Sequence, residues 1–400
     1  MRVLYLTHRL PYAPNRGDRI RAYHTIRTLA SRLELEVVSL VHDDHELAQA
    51  DRLRELGVRV HAIAAPRVRN LAHATLRLAG RRPLTHLLLD APGLPAALRR
   101  IVHERPPDVV LAYCSGMARF ALESPLSGFP LVVDLVDVDS QKWAALSQSS
   151  SWPKRWIYAR EAQHLSDFER RMAQAARSTL VINERERDAL RALAPASHLV
   201  VMPNGIDCRP LAPGAAAEER PHVVFCGVMN YTPNVDAALW FSRNVWPAIR
   251  ARRPDARFFL VGSDPIPSLR RLQTPDSGIE VTGTVDDVRP YLWQSAVAVA
   301  PLLTARGMQN KVLEALGAGL PAVVSAQVFV GLPPSVHQAC RLAVSADAFA
   351  KETLSLLDLT GSQRRALAAS ADLERLSWES QLLPLYRLLS DASAAAAIAV

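Results

Sequence analysis

Short apolar runs rich in valine and leucine alternate along this chain with stretches of helical spacing, and the alternation restarts after a break near the middle. The first series has runs at 3–6, 35–40, 58–63, 109–112, 131–135, 179–182 and 199–202. Between the first two, Ile20, Tyr23, Ile26, Leu29 and Ala30 recur every three or four residues, the period of a helix with one apolar face. Runs this short and this continuously apolar suit strands buried on both faces. Strands alternating with helices in turn build a mostly parallel sheet covered on both sides. A Pro/Gly/Ala-rich stretch at 210–221 then interrupts the pattern. The second series places strands at 223–226, 258–261, 279–282, 297–300, 322–325 and 342–344, with helices over 236–251, 287–294, 308–316 and 346–357. A chain of 400 residues also exceeds what one hydrophobic core comfortably holds. The expectation is an α/β protein of two doubly wound halves, each binding ligand at the carboxyl ends of its strands.

Several functional classes are set aside on the same evidence. Neither GxGxxG nor GxxxxGK[ST] occurs, which counts against a standard dinucleotide dehydrogenase and a P-loop nucleotidase. The apolar stretch 3–6 is too short for the core of a signal peptide. The long uncharged stretch 315–336 holds Pro321, Pro333 and Pro334, which would break a spanning helix, so it reads as helix end, strand and loop. Cys114, Cys208, Cys226 and Cys340 form no CxxC pair and have no His nearby at zinc-ligand spacing, so reduced thiols in a cytoplasmic setting are expected. The net charge of +8 is carried almost wholly by arginine, the only lysines being Lys142, Lys154, Lys311 and Lys351. That surplus suits phosphate-bearing substrates or an anionic membrane surface; no nucleic-acid partner is expected.

Three segments carry residues suited to chemistry. After the run 297–300 come Ala305, Arg306, Gly307, Met308, Gln309, Asn310, Lys311 and, one helical turn later, Glu314. Strand, glycine-containing loop and helix start in that order aim backbone N–H groups at an anion. Lys311 and Glu314 share a helix face, either as cation and carboxylate for a nucleotide or as a surface ion pair. After the first strand, the loop with Arg16, Gly17, Asp18, Arg19 and Arg21 is either a phosphate-meeting loop or a connection with exposed arginines. At the end of the run 131–135 stand Asp134, Asp137 and Asp139, one of them a cleft acid or, at Asp139 and Ser140, a helix cap. The segment 149–171, with Trp152, Lys154, Arg155, Trp156 and Tyr158, reads either as a membrane-surface element or as a packed helix with a basic face.

The run Glu314-Ala315-Leu316-Gly317-Ala318-Gly319-Leu320-Pro321 resembles the signature of the retaining glycosyltransferases of family 4, whose fold is termed GT-B. Val201-Met202-Pro203-Asn204-Gly205-Ile206-Asp207 is similar to the segment opening that family's C-terminal domain, and Phe225-Cys226-Gly227-Val228-Met229-Asn230 to that domain's first strand and loop. Two departures stand out. Arg306 occupies the place of the family's first acidic residue, and Met229 stands where many relatives carry a basic residue. The resemblance implies two facing Rossmann-like domains with an interdomain cleft. The acceptor domain would be 1–205, the donor domain 206–375, and a terminal helix at about 376–392 would pack back on the first. It implies glycosyl transfer from a nucleotide-sugar co-substrate, with no cofactor and no obligatory metal. Asp137, Lys311 and Glu314 would be catalytic, and Gly227, Met229, Asn230, Arg306, Gly307, Met308, Gln309, Asn310, Lys311 and Glu314 would hold the donor. Arg16, Gly17, Asp18 and Arg21 would form an acceptor or phosphate loop.

A narrower resemblance, carried by 7–21 and 305–314, is to sugar transferases of exopolysaccharide assembly, including those beside exosortase (PEP-CTERM) systems. It implies a glycan or polyprenyl-linked sugar as acceptor and work at the cytoplasmic face of the inner membrane. Two alternatives stay open: a nucleotide-sugar epimerase on the same scaffold, and a GT-A-type transferase using Asp137 and Asp139 as a DxD metal ligand.

Overall fold

The computed structural model describes residues 1–12, 17–206, 220–304 and 309–398, with Gly17, Asp18 and 396–398 described by backbone only. Two compact units emerge: Met1–Gly205 together with the chain from Trp378 onward, and Ile206–Ser377.

The first unit holds a seven-stranded sheet of β1 (Arg2–Thr7), β2 (Glu34–Val41), β3 (Arg59–Ala64), β4 (Val109–Tyr113), β5 (Leu131–Val136), β6 (Ser178–Val181) and β7 (Leu199–Val201). Their order is β3-β2-β1-β4-β5-β6-β7, and every pairing is parallel. Side chains alternate between faces. Leu4, Leu6, Val38, Leu40, Val110 and Ala112 enter one core, whereas Val3, Tyr5, Val37, Val109 and Leu111 enter the other. The helix Trp378–Ile398 adds Trp378, Leu382, Leu385 and Leu389 to this second core, one apolar stripe at three- and four-residue spacing.

The second unit holds β8 (Val223–Cys226), β9 (Phe258–Val261), β10 (Ile279–Gly283), β11 (Val297–Ala300), β12 (Ala322–Val324) and β13 (Cys340–Leu342). They run in the order β10-β9-β8-β11-β12-β13, again all parallel. The central strands β8, β9 and β11 are wholly buried, while the edge strand β13 is mostly exposed.

Each strand order reverses once, between β1 and β4 in the first sheet and between β8 and β11 in the second. Loops leaving neighbouring strands in opposite directions open a crevice at such a point, which is where ligands of doubly wound sheets bind.

Two expected elements differ. The helix expected over 236–251 is two helices, Thr232–Asn244 and Trp246–Arg252, because Pro247 has no N–H to give the preceding turn. The last strand expected at 342–344 pairs instead at Cys340–Leu342 against β12, leaving Val344 78% exposed. The break expected over 210–221 lies mostly outside the described residues. Among those described, no helix is long and apolar enough to cross a membrane.

Candidate active site

In the second unit, the switch point gathers the loop after β8, the loop after β9 and the helix Asn310–Gly317. The first two loops touch through glycine. Gly262 has φ +151°, and a Cβ there would lie 1.7 Å from the carbonyl oxygen of Gly227. The Gly227 N–H donates to Val261 O at 2.9 Å and the Met229 N–H to Ser263 O at 2.8 Å, so the crossing is stitched on both sides.

That crossing leaves one polar niche. Asn234, 5% exposed in the first turns of its helix, donates from Nδ2 to Val228 O at 3.0 Å. Its Oδ1 accepts from Lys311 Nζ at 2.6 Å. The ammonium also lies 4.8 Å above the centre of the Phe225 ring, a cation–π arrangement. Burial strips water from it and lowers its pKa to about 8, against the smaller upward pulls of Cys226 and Glu314. A Cβ on Gly227 would come within 3.2 Å of the same Nζ, so glycine there keeps the ammonium's surroundings open. When protonated, an ammonium held by a neutral amide and a ring has its charge left uncompensated and available to an anion.

Glu314 does not take that charge, since no ion pair joins it to Lys311 among the described residues, and its pKa is raised first by desolvation. The surface ion-pair reading of the two residues therefore fails. The helix beginning at Asn310 has Gln309 at its N-cap without a side-chain cap bond. Asn230 and Asn310 are exposed, and Gln309 is half-buried.

Met229 is a correction. Its side chain is 0% exposed within the hydrophobic core, and its N–H is committed to Ser263, so the side chain packs inward and is not presented to the crevice. Arg306, Gly307 and Met308 lie outside the described residues.

In the first unit, the switch point holds a cavity of about 380 Å³ lined by His8, His86, Tyr113, Cys114, Asp137 and Asp139, among others. Cys114 and Val136 have φ of 64° and 69°, a left-handed conformation rare for such residues. It turns the chain sharply at the ends of β4 and β5, and such strain gathers where a site must be shaped. Burial raises the pKa of both Asp137 and Asp139, helped for Asp137 by Glu186 and opposed for both by Lys142.

Asp139 and Ser140 do not cap the helix that follows. Glu169 does so from another helix, accepting the Ser140 N–H at 3.1 Å and the Ser140 hydroxyl, while Glu186 accepts the Val138 N–H at 2.8 Å. Buried Glu169 has its pKa raised to about 7 by desolvation, against the lowering effect of its Ser140 hydrogen bonds.

Arg21 is a second correction. It is 1% exposed and bonded to Asp134 Oδ2 at 2.7 Å, with Nη1 donating to Pro203 O at 3.2 Å and Asn204 Oδ1 at 3.0 Å. This arginine ties the helix after β1 to β5 and to the Pro-Asn-Gly turn; it is not free for phosphate. Gly205 in that turn is set by packing as well, since a Cβ there would lie 2.3 Å from Trp378 Cα. Arg16 lies outside the described residues, while Gly17 and Asp18 open the helix Gly17–Ala30.

Asn234 and Gly262, which shape the Lys311 niche, are not singled out by the sequence. A glycine directly after the buried run 258–261 was the available signal for the second. For Asn234 there was none, because its partner Lys311 lies 77 residues away.

Residues 16–205 match the family described as glycosyl transferase 4-like domain, and residues 220–359 match glycosyl transferases group 1. No curated protein matches in sequence. Among solved structures, the sucrose-phosphate synthase of Thermosynechococcus elongatus superposes with a TM-score of 0.60 at 17% identity, covering 99% of this chain and 100% of that one. Anabaena HepE in complex with UDP and glucose gives 0.61 at 15% identity, covering 98% and 100%. An E. coli trehalose-6-phosphate protein bound with UDP-2-fluoro glucose gives 0.59 at 12%, covering 97% and 99%. These structures share the two-domain α/β fold. The metal-dependent GT-A reading falls with it, because that architecture has no place for a second complete parallel sheet. Two family matches, one on each unit, and a fold common to both comparisons place the chain among the glycosyltransferases of GT-B type.

Proposed function

We propose that this glycosyltransferase takes a nucleoside-diphosphate sugar as donor and binds its diphosphate at the switch point of the second unit. The observation that carries the reading is Lys311, a cation held by Asn234 and the Phe225 face, with no carboxylate bonded to it among the described residues. Departure of the nucleotide leaves negative charge on a diphosphate oxygen, and a preorganised ammonium with backbone N–H donors stabilises it. Glu314, one turn along, is assigned to the ribose hydroxyls, with Gly227, Asn230, Gln309 and Asn310 around the diphosphate. Nucleotides of this class are present in HepE and in the trehalose-6-phosphate protein, which supports the choice.

Asp137 is assigned to the reacting sugar, its raised pKa fitting an acid in a partly dehydrated crevice. The resemblance to family 4 supports retention of anomeric configuration and no cofactor, and the narrower resemblance supports a glycan or polyprenyl-linked sugar as acceptor in exopolysaccharide assembly. Peripheral contact with the cytoplasmic membrane face fits the exposed Trp152 and Trp156 beside Lys154 and Arg155.

A thermal-shift panel of UDP-, GDP-, ADP- and dTDP-sugars on the wild type, Lys311→Ala and Glu314→Ala tests the assignment. A shift with one nucleotide class that both variants lose supports it. No shift with any donor, with or without divalent metal, removes it. Incubation without acceptor separates transfer from epimerisation, and the anomeric configuration of the product decides retention.

A further inference from the structure

A second cavity in the first unit, of about 670 Å³, takes no part in the readings above. Five arginines line it (Arg69, Arg81, Arg82, Arg119 and Arg171) against two acids, Asp90 and Glu123. Arg119 is the buried member, 9% exposed, with Cζ 4.1 Å above the Phe120 ring. Its Nε donates to Gly116 O at 3.0 Å and its Nη1 to Asp90 Oδ1 at 2.7 Å, while the buried Nη2 has no partner. A guanidinium nitrogen out of water and without an acceptor is costly. The side chains of Arg69, Arg81 and Arg82 are exposed and make no ion pair or hydrogen bond among the described residues.

The loop carrying Arg81 and Arg82 is held in place. Arg160 donates to Gly80 O and, at 2.9 Å, to Arg82 O. Glu161 accepts from the N–H groups of Leu84 and Thr85 at 2.7 and 2.9 Å. This ion pair from the long helix Lys154–Ala175 fixes a loop that presents unpaired positive charge to a cavity. His86 lines both this cavity and the one holding Asp137, so a group bound here neighbours the proposed reaction centre.

We propose that this cavity binds the phosphate group of the acceptor, which is a phosphorylated sugar: either a free sugar phosphate or a sugar joined through diphosphate to a lipid. The acceptor assignment rests on the function proposed above. The binding of an anion rests only on the arginines. Planar guanidinium forks match phosphate oxygens bidentately, and buried Arg119, with Nη2 unsatisfied, adds its charge to the cavity lining.

The test uses calorimetry with inorganic pyrophosphate on the wild type, Lys311→Ala, the double variant Arg81→Glu/Arg82→Glu and the control Arg99→Glu, an exposed arginine on another helix. Both replaced arginines of the double variant are exposed, so it tests charge without opening the core. Binding that survives in Lys311→Ala and Arg99→Glu but weakens at least about tenfold in the double variant supports the cavity. No binding in the wild type, or binding lost in Lys311→Ala and kept in the double variant, overturns it. Transfer assays then separate the two sources. A sugar phosphate and a short isoprenoid diphosphate sugar are compared, and the acceptor KM is expected to rise about tenfold in the double variant with donor KM unchanged. Equal use of a neutral sugar by both proteins overturns the acceptor assignment while leaving the donor site standing. A donor KM that changes in Lys311→Ala alone shows the two sites failing separately.

Discussion

The two switch points share a topology and carry opposite chemistry. In the first unit the crevice after β4 and β5 holds Asp137 and Asp139, and Glu169 caps the next helix from behind; burial raises the pKa of all three. In the second unit the crevice after β8 and β11 is built around one lysine whose pKa is lowered. Dehydration pushes an acid up and a lysine down, so a single cause acts on both and favours the neutral form in each. The comparison teaches that parallel-sheet geometry supplies the crevice, and the residues just past the strand ends choose its charge.

The largest effect that would sharpen this contrast lies at Lys311. Replacing it with methionine is expected to lower kcat/KM for transfer by about 10²–10³-fold, the scale of losing a preorganised charge at a developing anion. The same variant is expected to be more stable than the wild type at pH 7, because it no longer dehydrates an ammonium. Thermal unfolding together with steady-state kinetics reads both. A variant that loses stability along with activity would make Lys311 a structural residue and break the comparison.

Next comes Gly262→Ala. Its methyl group would sit 1.7 Å from Gly227 O, in a backbone conformation side chains rarely adopt. Destabilisation of the second unit by about 3 kcal/mol is expected, visible in denaturant unfolding as an earlier transition. An unchanged midpoint would mean that the loops part without cost and that the Lys311 niche does not depend on their crossing.

The smallest effect is a pH dependence. Glu169 titrates near 7 in the folded protein against an ordinary 4.5, so the native state holds the proton more tightly. The stability it contributes is full below pH 4.5 and is lost as pH rises through 7. Lys311 has the opposite sign: with a folded value of about 8 against an ordinary 10.5, stability grows as pH rises between those two values. Glu169→Gln is expected to flatten the first slope by roughly 1–2 kcal/mol between pH 5 and 7, with the second slope untouched. Melting temperatures across pH 5 to 10 read both, and a variant retaining the acid-side slope would assign it to Asp137 and Asp139 instead.

The sheets were legible in the sequence because strands buried on both faces leave unbroken apolar runs, as at 109–112 and 297–300. The edge was not, since β13 is short and mostly exposed and the apolar pattern that marks a strand fades there. Among the residues proposed for the site, Lys311 and Asp137 stand out in the sequence because each comes after a buried run. Arg21 misled for a definite reason. A sequence shows an arginine in a glycine-containing loop, but not the aspartate 113 residues further on that neutralises it. Met229 misled in the same way: its position in a loop suggested contact with a ligand, while the crossing stitched by Gly227 and Gly262 turns it into the core. The arginine cavity draws on four separate stretches between residues 69 and 171, so no single stretch of sequence displays it.

On the donor assignment proposed above, the lysine in its amide-and-ring niche would also make the second unit a proton exchanger. Near pH 8 the ammonium is held at half strength, since about half the molecules carry it neutral. A diphosphate bound beside it would favour the charged form and pull its affinity for protons back up, so each binding event is expected to take up about half a proton at that pH and almost none at pH 6. Donor capture would thereby be tied to the acidity of its surroundings: the same nucleotide is expected to bind less tightly as the medium turns alkaline, with no change of shape required.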